Sequence, residues 1–202
     1  MSEKTPTEKK PNRRQQILEV LAEMLEKNPG ERITTARLAK EVGVTEAALY
    51  RHFPSKGKMF EGLIEFIEES IFTRIKIINK DVPKGIDRLQ RILIFVLAFA
   101  EKNPGMCALL TGSALGGEKP KVRQRAAHIF ERLETEIRQV IRESEVREQK
   151  KLRLTAISGA NLLLVNLEGR IHQYVRTGFK EWPTKGWSAH WPVLAGSLFQ
   201  AV

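Results

Sequence analysis

The chain has 202 residues, enough for one or two domains with a substantial core, and its 42% hydrophobic and 29% charged content is ordinary for a globular protein. With 34 Lys and Arg against 24 Asp and Glu, the formal charge of +10 favours polyanionic partners such as nucleic acid. The longest apolar runs, 92–100 and 160–167, fall short of the roughly 18–20 residues that span a bilayer, and a single cysteine, Cys107, excludes an intrachain disulfide.

The N-terminus, MSEKTPTEKKPNRR, has no apolar centre, so no secretory leader is expected, and residues 1–12 read as a disordered basic arm. From Arg13 the pattern turns helical: Ile17, Leu18, Leu21, Met24 and Leu25 share one face of a 3.6-residue period, and Asn28-Pro29-Gly30 stops it. A short second helix begins at Thr34 or Thr35, either of which can cap it, uses Leu38, Ala39 and Val42, and ends at Gly43. Thr45 caps a third helix, EAALYRHF, closed by Pro54, and Ser55 opens a long fourth helix to about Asn79. Further helices are expected over 86–102, 106–114, 119–147, 150–178 and 187–200. No stretch shows sustained strand alternation, which makes the fold all-α. The expected organisation is a helix-turn-helix unit over 13–58 followed by a helical dimerisation and partner-binding body over 59–202.

Two short helices joined by a tight turn form a helix-turn-helix, and the spacing Ala39-x3-Gly43-x5-Leu49 suits it: a small residue at the crossing, a glycine in the turn, a leucine plugging the core. The run Leu49-Tyr50-x-His52-Phe53-x-x-Lys56 resembles the recognition-helix signature of the TetR family of DNA-binding proteins. Leu49 and Phe53 face inward, leaving Tyr50, Arg51 and His52 outside, although His52 could equally be a helix cap. Tyr50, His52, Lys56, Thr34 and Thr35 are candidate phosphate contacts, the last three beside helix N-termini. Base readout is expected from Thr45, Glu46, Ala47 and Ala48, with Arg51 as a further reader.

The resemblance implies a homodimer built on the last two long helices. Ile157, Ala160, Leu163, Leu164, Leu167, Ile171 and Tyr174 form one broad stripe, and Trp187, Trp191, Leu194 and Leu198 another. A twofold dimer spaces its recognition helices about 34–36 Å apart, so a palindromic double-stranded DNA target is expected, holding one dimer or two side by side. Most of the family releases DNA when a small effector enters the body, and that remains one reading.

The stretches 32–75 and 100–115 are more specific, because the second lies in the body; they resemble the nucleoid occlusion branch of the family. That resemblance implies a cytoplasmic, nucleoid-associated protein that antagonises polymerisation of the division protein FtsZ through its fourth and fifth helices. In the fourth helix Phe66 lies about 120° off the core stripe, counting ~100° per residue, with Arg74 two turns on. In the fifth, Phe95, Ala98 and Lys102 run opposite the core stripe. The branch pattern carries over to Phe66, Arg74 and Asn103, while Lys102 stands at an arginine-like position and loses the bidentate fork. These six residues are the candidate FtsZ surface; the alternative is that Phe66 and Phe95 pack against each other or a neighbouring helix.

No enzyme chemistry or cofactor is expected. His52, His128, His172 and His190 lack metal-ligand spacing, and TGSALGG is neither a nucleophile elbow nor a phosphate loop.

Overall fold

Capping chemistry sets the helix boundaries in the computed structural model, which describes residues 12–28 and 30–200. The expected arm therefore lies, Asn12 excepted, outside the described residues. Helix α1 (Arg13–Lys27) ends at Asn28, whose side-chain amide donates to the Met24 carbonyl at 3.1 Å. Helix α2 (Thr35–Val42) opens on Thr34, whose hydroxyl accepts from the Arg37 amide, so Thr34 and not Thr35 is the cap. It closes at Gly43, whose φ of 76° suits a residue without a β-carbon. Thr45 caps α3 (Glu46–His52) and Ser55 caps α4 (Lys56–Asp81).

The body comprises α5 (Gly85–Lys102), α6 (Pro104–Leu110), a 3-10 turn (Ser113–Leu115), α7 (Pro120–Arg147), α8 (Ala156–Arg176) and α9 (Trp187–Leu198). The fold is all-α as expected, and among the described residues the β contribution is one isolated antiparallel bridge, Leu152 to Phe199. That bridge explains why α8 starts at Ala156 and not near 150: the segment before it is drawn out to pair with the chain after α9, and Thr155 then caps the helix. The helix expected over 106–114 breaks after Leu110, where Thr111 turns its hydroxyl back onto the Cys107 carbonyl. Among the described residues no single helix is long and apolar enough to cross a membrane.

The helix-turn-helix unit and the body share one continuous core that runs from Ile17 to Leu198. Each fully buried aliphatic side chain in it contributes about 1.5–3 kcal/mol. Helix α4 belongs to both parts: it packs on α1 and on α5, α6 and α7, and Phe60, Leu63, Ile64, Ile71, Phe72, Ile75 and Ile78 are all buried along it. Helix α1 also crosses α6 directly, and at the crossing a β-carbon on Gly105 would stand 2.1 Å from the Ala22 carbonyl oxygen. No side chain fits there, which is what lets the two backbones touch.

The stripe expected to dimerise on α8 is instead internal. Ala160, Leu163, Leu164, Leu167, Ile171 and Tyr174 are all buried against the chain's own α5–α7, and Trp187, Trp191 and Leu198 are buried as well; Leu194 is partly buried against the same core. Of the residues named, Ile157 alone is left fully outside, joined by Leu162 and Val165 on α8 and by Val193 on α9, 73% exposed. Helix α8 is apolar on two faces, so its periodicity could not say which face turns inward.

Helix α5 is held to α7 by a buried cation. Arg88 bonds Glu143 at 2.6 Å and lies 3.9 Å from Glu148, and Glu148 also accepts from the Gly85 amide at 2.7 Å, capping α5 from a distant part of the chain. The hydrogen bond from Arg88 holds the Glu143 carboxyl below its ordinary value of 4.5, against the opposing effect of burial.

Gly105→Ala is expected to destabilise the chain by about 2–3 kcal/mol in chemical denaturation, because overpacking at a backbone contact leaves no soft atom to yield. An unchanged midpoint would show that α1 and α6 separate freely. Arg88→Met is expected to cost about 2 kcal/mol near neutral pH by removing the shortest partner of Glu143, which keeps Gln139 at 3.0 Å and Arg147 at 3.6 Å. Glu143 stabilises fully above 4.5, and its contribution fades as pH falls through its lowered folded value, so the gap between variant and parent should narrow in acid. A constant gap would mean that Arg88 acts by packing alone.

Candidate nucleic-acid interface and partner groove

The turn at Gly43 and the plug at Leu49 set α3 across α2, and the polar residues between them bond to one another. Thr35 donates to the Glu46 carboxylate at 2.7 Å, and the Tyr50 hydroxyl donates to Thr35 at 3.3 Å. This chain of three ties the start of α2 to the outer face of α3. Tyr50 remains 43% exposed, and Thr34, Thr45, Ala47, Arg51 and His52 are exposed beside it. Thr34 and Thr45 each accept a backbone N–H as caps, which leaves each hydroxyl proton free to donate to a phosphate oxygen.

The hydroxyl protons of Thr35 and Tyr50 are already donated, to Glu46 and to Thr35, so either contacts a phosphate only by giving up that bond, and three further candidates stand differently from expectation. Glu46 is engaged by Thr35, so reading a cytosine requires that bond to open. Ala48 is half-buried in a cleft shared with Arg13, Val44, Arg51 and His52, which leaves Ala47 as the accessible alanine of the pair. Lys56 is not a free cation. Its ammonium bonds Glu118 at 2.8 Å and donates to the Ile33 carbonyl at 3.2 Å, with its side chain 18% and that of Glu118 11% exposed. Neither Glu118 nor Arg13 was foreseen at this face; Glu118 is 62 residues downstream and carries no local motif.

The second candidate surface divides into two. Phe66, 37% exposed, shares a groove with Lys102 and Asn103, and its opposite wall is α1, presenting Glu19, Glu23 and Glu26. Asn103 is structurally committed there, since its amide nitrogen donates to the Phe99 carbonyl at 2.7 Å and closes α5. Arg74 is exposed on the same face of α4 as Phe66, two turns along and outside the groove. Phe95 and Ala98 are half-buried; Phe95 tilts against Phe99 with ring centres 6.4 Å apart, so it packs within its own helix and not on Phe66. The acidic wall from α1 escaped the sequence reading, which treated α1 only as support for the helix-turn-helix.

Cys107 is buried, donates to the Ala100 carbonyl, and burial pushes its thiol up to about 12, which makes it an inert core residue. His128 bonds Glu131 on the exposed face of α7, and His190 lies against the Arg170 guanidinium, itself bound to the Pro183 and Lys185 carbonyls. Among the described residues no group of His, Cys, Asp and Glu is arranged to hold a metal ion.

Comparison with known proteins locates both parts of the chain. Residues 17–63 match the family model for bacterial regulatory proteins of the tetR family, and residues 84–199 match the SlmA-like tetracyclin repressor-like C-terminal domain. The nucleoid occlusion factor SlmA of Marinomonas sp. (strain MWYL1) is 54% identical over 190 residues, 94% of this chain and 96% of that protein. That of Alteromonas mediterranea is 53% identical over 186 residues, 92% of this chain and 95% of its own length. Among solved structures, the MbdR regulator from Azoarcus sp. CIB superposes with a TM-score of 0.77 over 92% of this chain and 98% of that one. FadR from Bacillus subtilis, solved with stearoyl-CoA, superposes with 0.73 over 91% and 98%. At 18% and 15% identity these two share the fold. The chain belongs to the SlmA family of nucleoid occlusion factors, within the TetR class of helix-turn-helix DNA-binding regulators, and is not an enzyme.

Proposed function

We propose that this protein binds palindromic chromosomal sites as a homodimer and, from them, antagonises FtsZ polymerisation, so that no division septum assembles over the nucleoid. It acts in the cytoplasm, on the DNA. The observation that carries this reading is that the likeness to nucleoid occlusion factors runs through the body, where residues 84–199 match, and not only through the helix-turn-helix that all TetR relatives share.

DNA lies across the face made by Thr34, Thr45, Ala47, Tyr50 and Arg51. Thr34, Thr45 and Tyr50 hold phosphates and set the register, and Ala47 and Arg51 meet base edges. Dimerisation uses the apolar residues that the fold leaves outside on α8 and α9, namely Ile157, Leu162, Val165 and Val193. FtsZ is engaged along α4 and the end of α5: Phe66 supplies the apolar anchor, and Lys102 and Arg74 the charges. Phe95 and Ala98 support that strip from behind. The helix-turn-helix unit (13–58) and the body (59–202) divide these tasks, with α4 continuous between them.

Tyr50→Phe should weaken binding to a self-selected palindromic duplex and to a scrambled one alike, by about fivefold, with the salt dependence unchanged because no charge is lost. A loss confined to a single base position would place Tyr50 among the readers. Phe66→Ala and Arg74→Asp should leave duplex binding intact and abolish the loss of FtsZ polymer, assayed with GTP in the presence of the selected duplex. Full inhibition by both variants would remove the groove from the mechanism. A parent protein that binds its palindrome tightly, yet leaves FtsZ polymer unchanged, would return the chain to the effector-released repressors.

A further inference from the structure

We infer that Glu118 is an internal stand-in for a DNA phosphate, an autoinhibitory contact that the duplex must displace from Lys56. The inference rests on the DNA-binding reading above. Glu118 sits in the loop between the 3-10 turn and α7, where its amide donates to the Leu115 carbonyl, so the body holds it in place. Its Oε1 lies 2.8 Å from the Lys56 ammonium. Its Oε2 faces the first turn of α4, since a β-carbon on Gly57 would stand 3.5 Å from it. One carboxylate thus occupies both features that suit an anion: a half-buried lysine and the positive end of a 26-residue helix.

A phosphate approaching from the helix-turn-helix face needs the same charge. Lys56 carries a single positive charge and already donates one of its three N–H groups to Ile33. Two anions a few ångströms apart on one cation repel strongly where water is partly excluded. A DNA phosphate therefore takes Lys56 only if Glu118 gives it up. The exchange is close to balanced, because one charge-assisted bond replaces another. Its consequence is mechanical: once Glu118 is released, the loop from the body no longer holds the start of α4, and α4 carries Phe66 ten residues further on.

The test is equilibrium binding of the full chain to a self-selected palindrome and to a scrambled duplex, by fluorescence anisotropy at one fixed salt concentration. Glu118→Gln should tighten binding to both duplexes by about tenfold, the scale of one half-buried ion pair. Glu118→Asp, which keeps the charge but draws it back from Lys56, should fall between Glu118→Gln and the parent. In a Lys56→Met background, Glu118→Gln should add nothing. Unchanged or weaker binding by Glu118→Gln would overturn the inference, because Glu118 would then be positioning Lys56 for the phosphate and not competing with it. An equal gain in the Lys56→Met background would overturn it too, by reducing the effect to net charge. Failure of the parent protein to bind either duplex would instead overturn the DNA-binding reading itself.

Discussion

The contact between α1 and α6 at Gly105 sets how the helix-turn-helix sits on the body. Because that position has no side chain, the α1 backbone lies directly on the body, and a β-carbon there would meet the Ala22 carbonyl oxygen at 2.1 Å. Without the contact, the helix-turn-helix would hang from α4 alone, and α1 would be no more than scaffolding for α2 and α3. With it, α1 does two jobs at once. Its buried face, Ile17, Leu18, Leu21 and Leu25, seats the helix-turn-helix on α4, and its exposed carboxylates wall the groove that holds Phe66. The helix-turn-helix and the groove around Phe66 are thus neighbours through a shared helix, not distant ends of a lever.

Helix α4 provides the second link. Ten residues separate Lys56 from Phe66, which at 1.5 Å per residue is about 15 Å of unbroken helix. Over such a span a helix moves as a rod, so a tilt at its first turn reaches Phe66 with little loss. Two anchors oppose that tilt at the far end: Arg132 lies over the Phe72 ring at 3.8 Å and bonds Glu68 at 3.0 Å. The near end is held by Ser55, by Lys56 with Glu118, and by the packing of Phe60. Of these, the Lys56 pair is the tie that a polyanion can contest, since the others are apolar or internal caps.

The first four helices, their caps and the turn at Gly43 were legible in the sequence because their determinants are local. A threonine three residues before an amide, a glycine at a left-handed turn and leucines at helical spacing each act within one turn of chain. Gly43, Thr45 and Leu49 therefore took up the roles their spacing announced, and of the two candidate caps Thr34 and Thr35 it is Thr34 that serves. What could not be read is what depends on which face a helix turns inward. Helix α8 has two apolar faces, so Leu163 and Leu167 looked as available for a partner as Ile157 and Val165 are. Lys56 looked free because its partner, Glu118, is set by the packing of the α6–α7 loop and not by any neighbour in sequence. Phe95 stands off its core stripe as expected, but Phe99, one turn on, gives it an aromatic contact within its own helix.

Charge bears on what the proposed partner groove can accept. A formal charge of +10 draws polyanions to the whole protein, but that field decays over about 8–10 Å at physiological salt. Once a duplex covers the helix-turn-helix, phosphates neutralise the nearest part of it. In the groove proposed for a protein partner, Lys102 faces three carboxylates, Glu19, Glu23 and Glu26. That local balance is not positive, so a partner gains little there from acidity alone. Selection falls to the short-range terms: an apolar side chain to cover Phe66, an acid placed within reach of Lys102 or Arg74, and a base or an amide to satisfy the α1 wall. A uniformly acidic peptide meets repulsion from α1, whereas a basic one finds three carboxylates against the single charge of Lys102. On that balance the groove disfavours an acidic polyelectrolyte, which sets its chemistry apart from that of the helix-turn-helix face, where Arg51 and the capping threonines suit an anion.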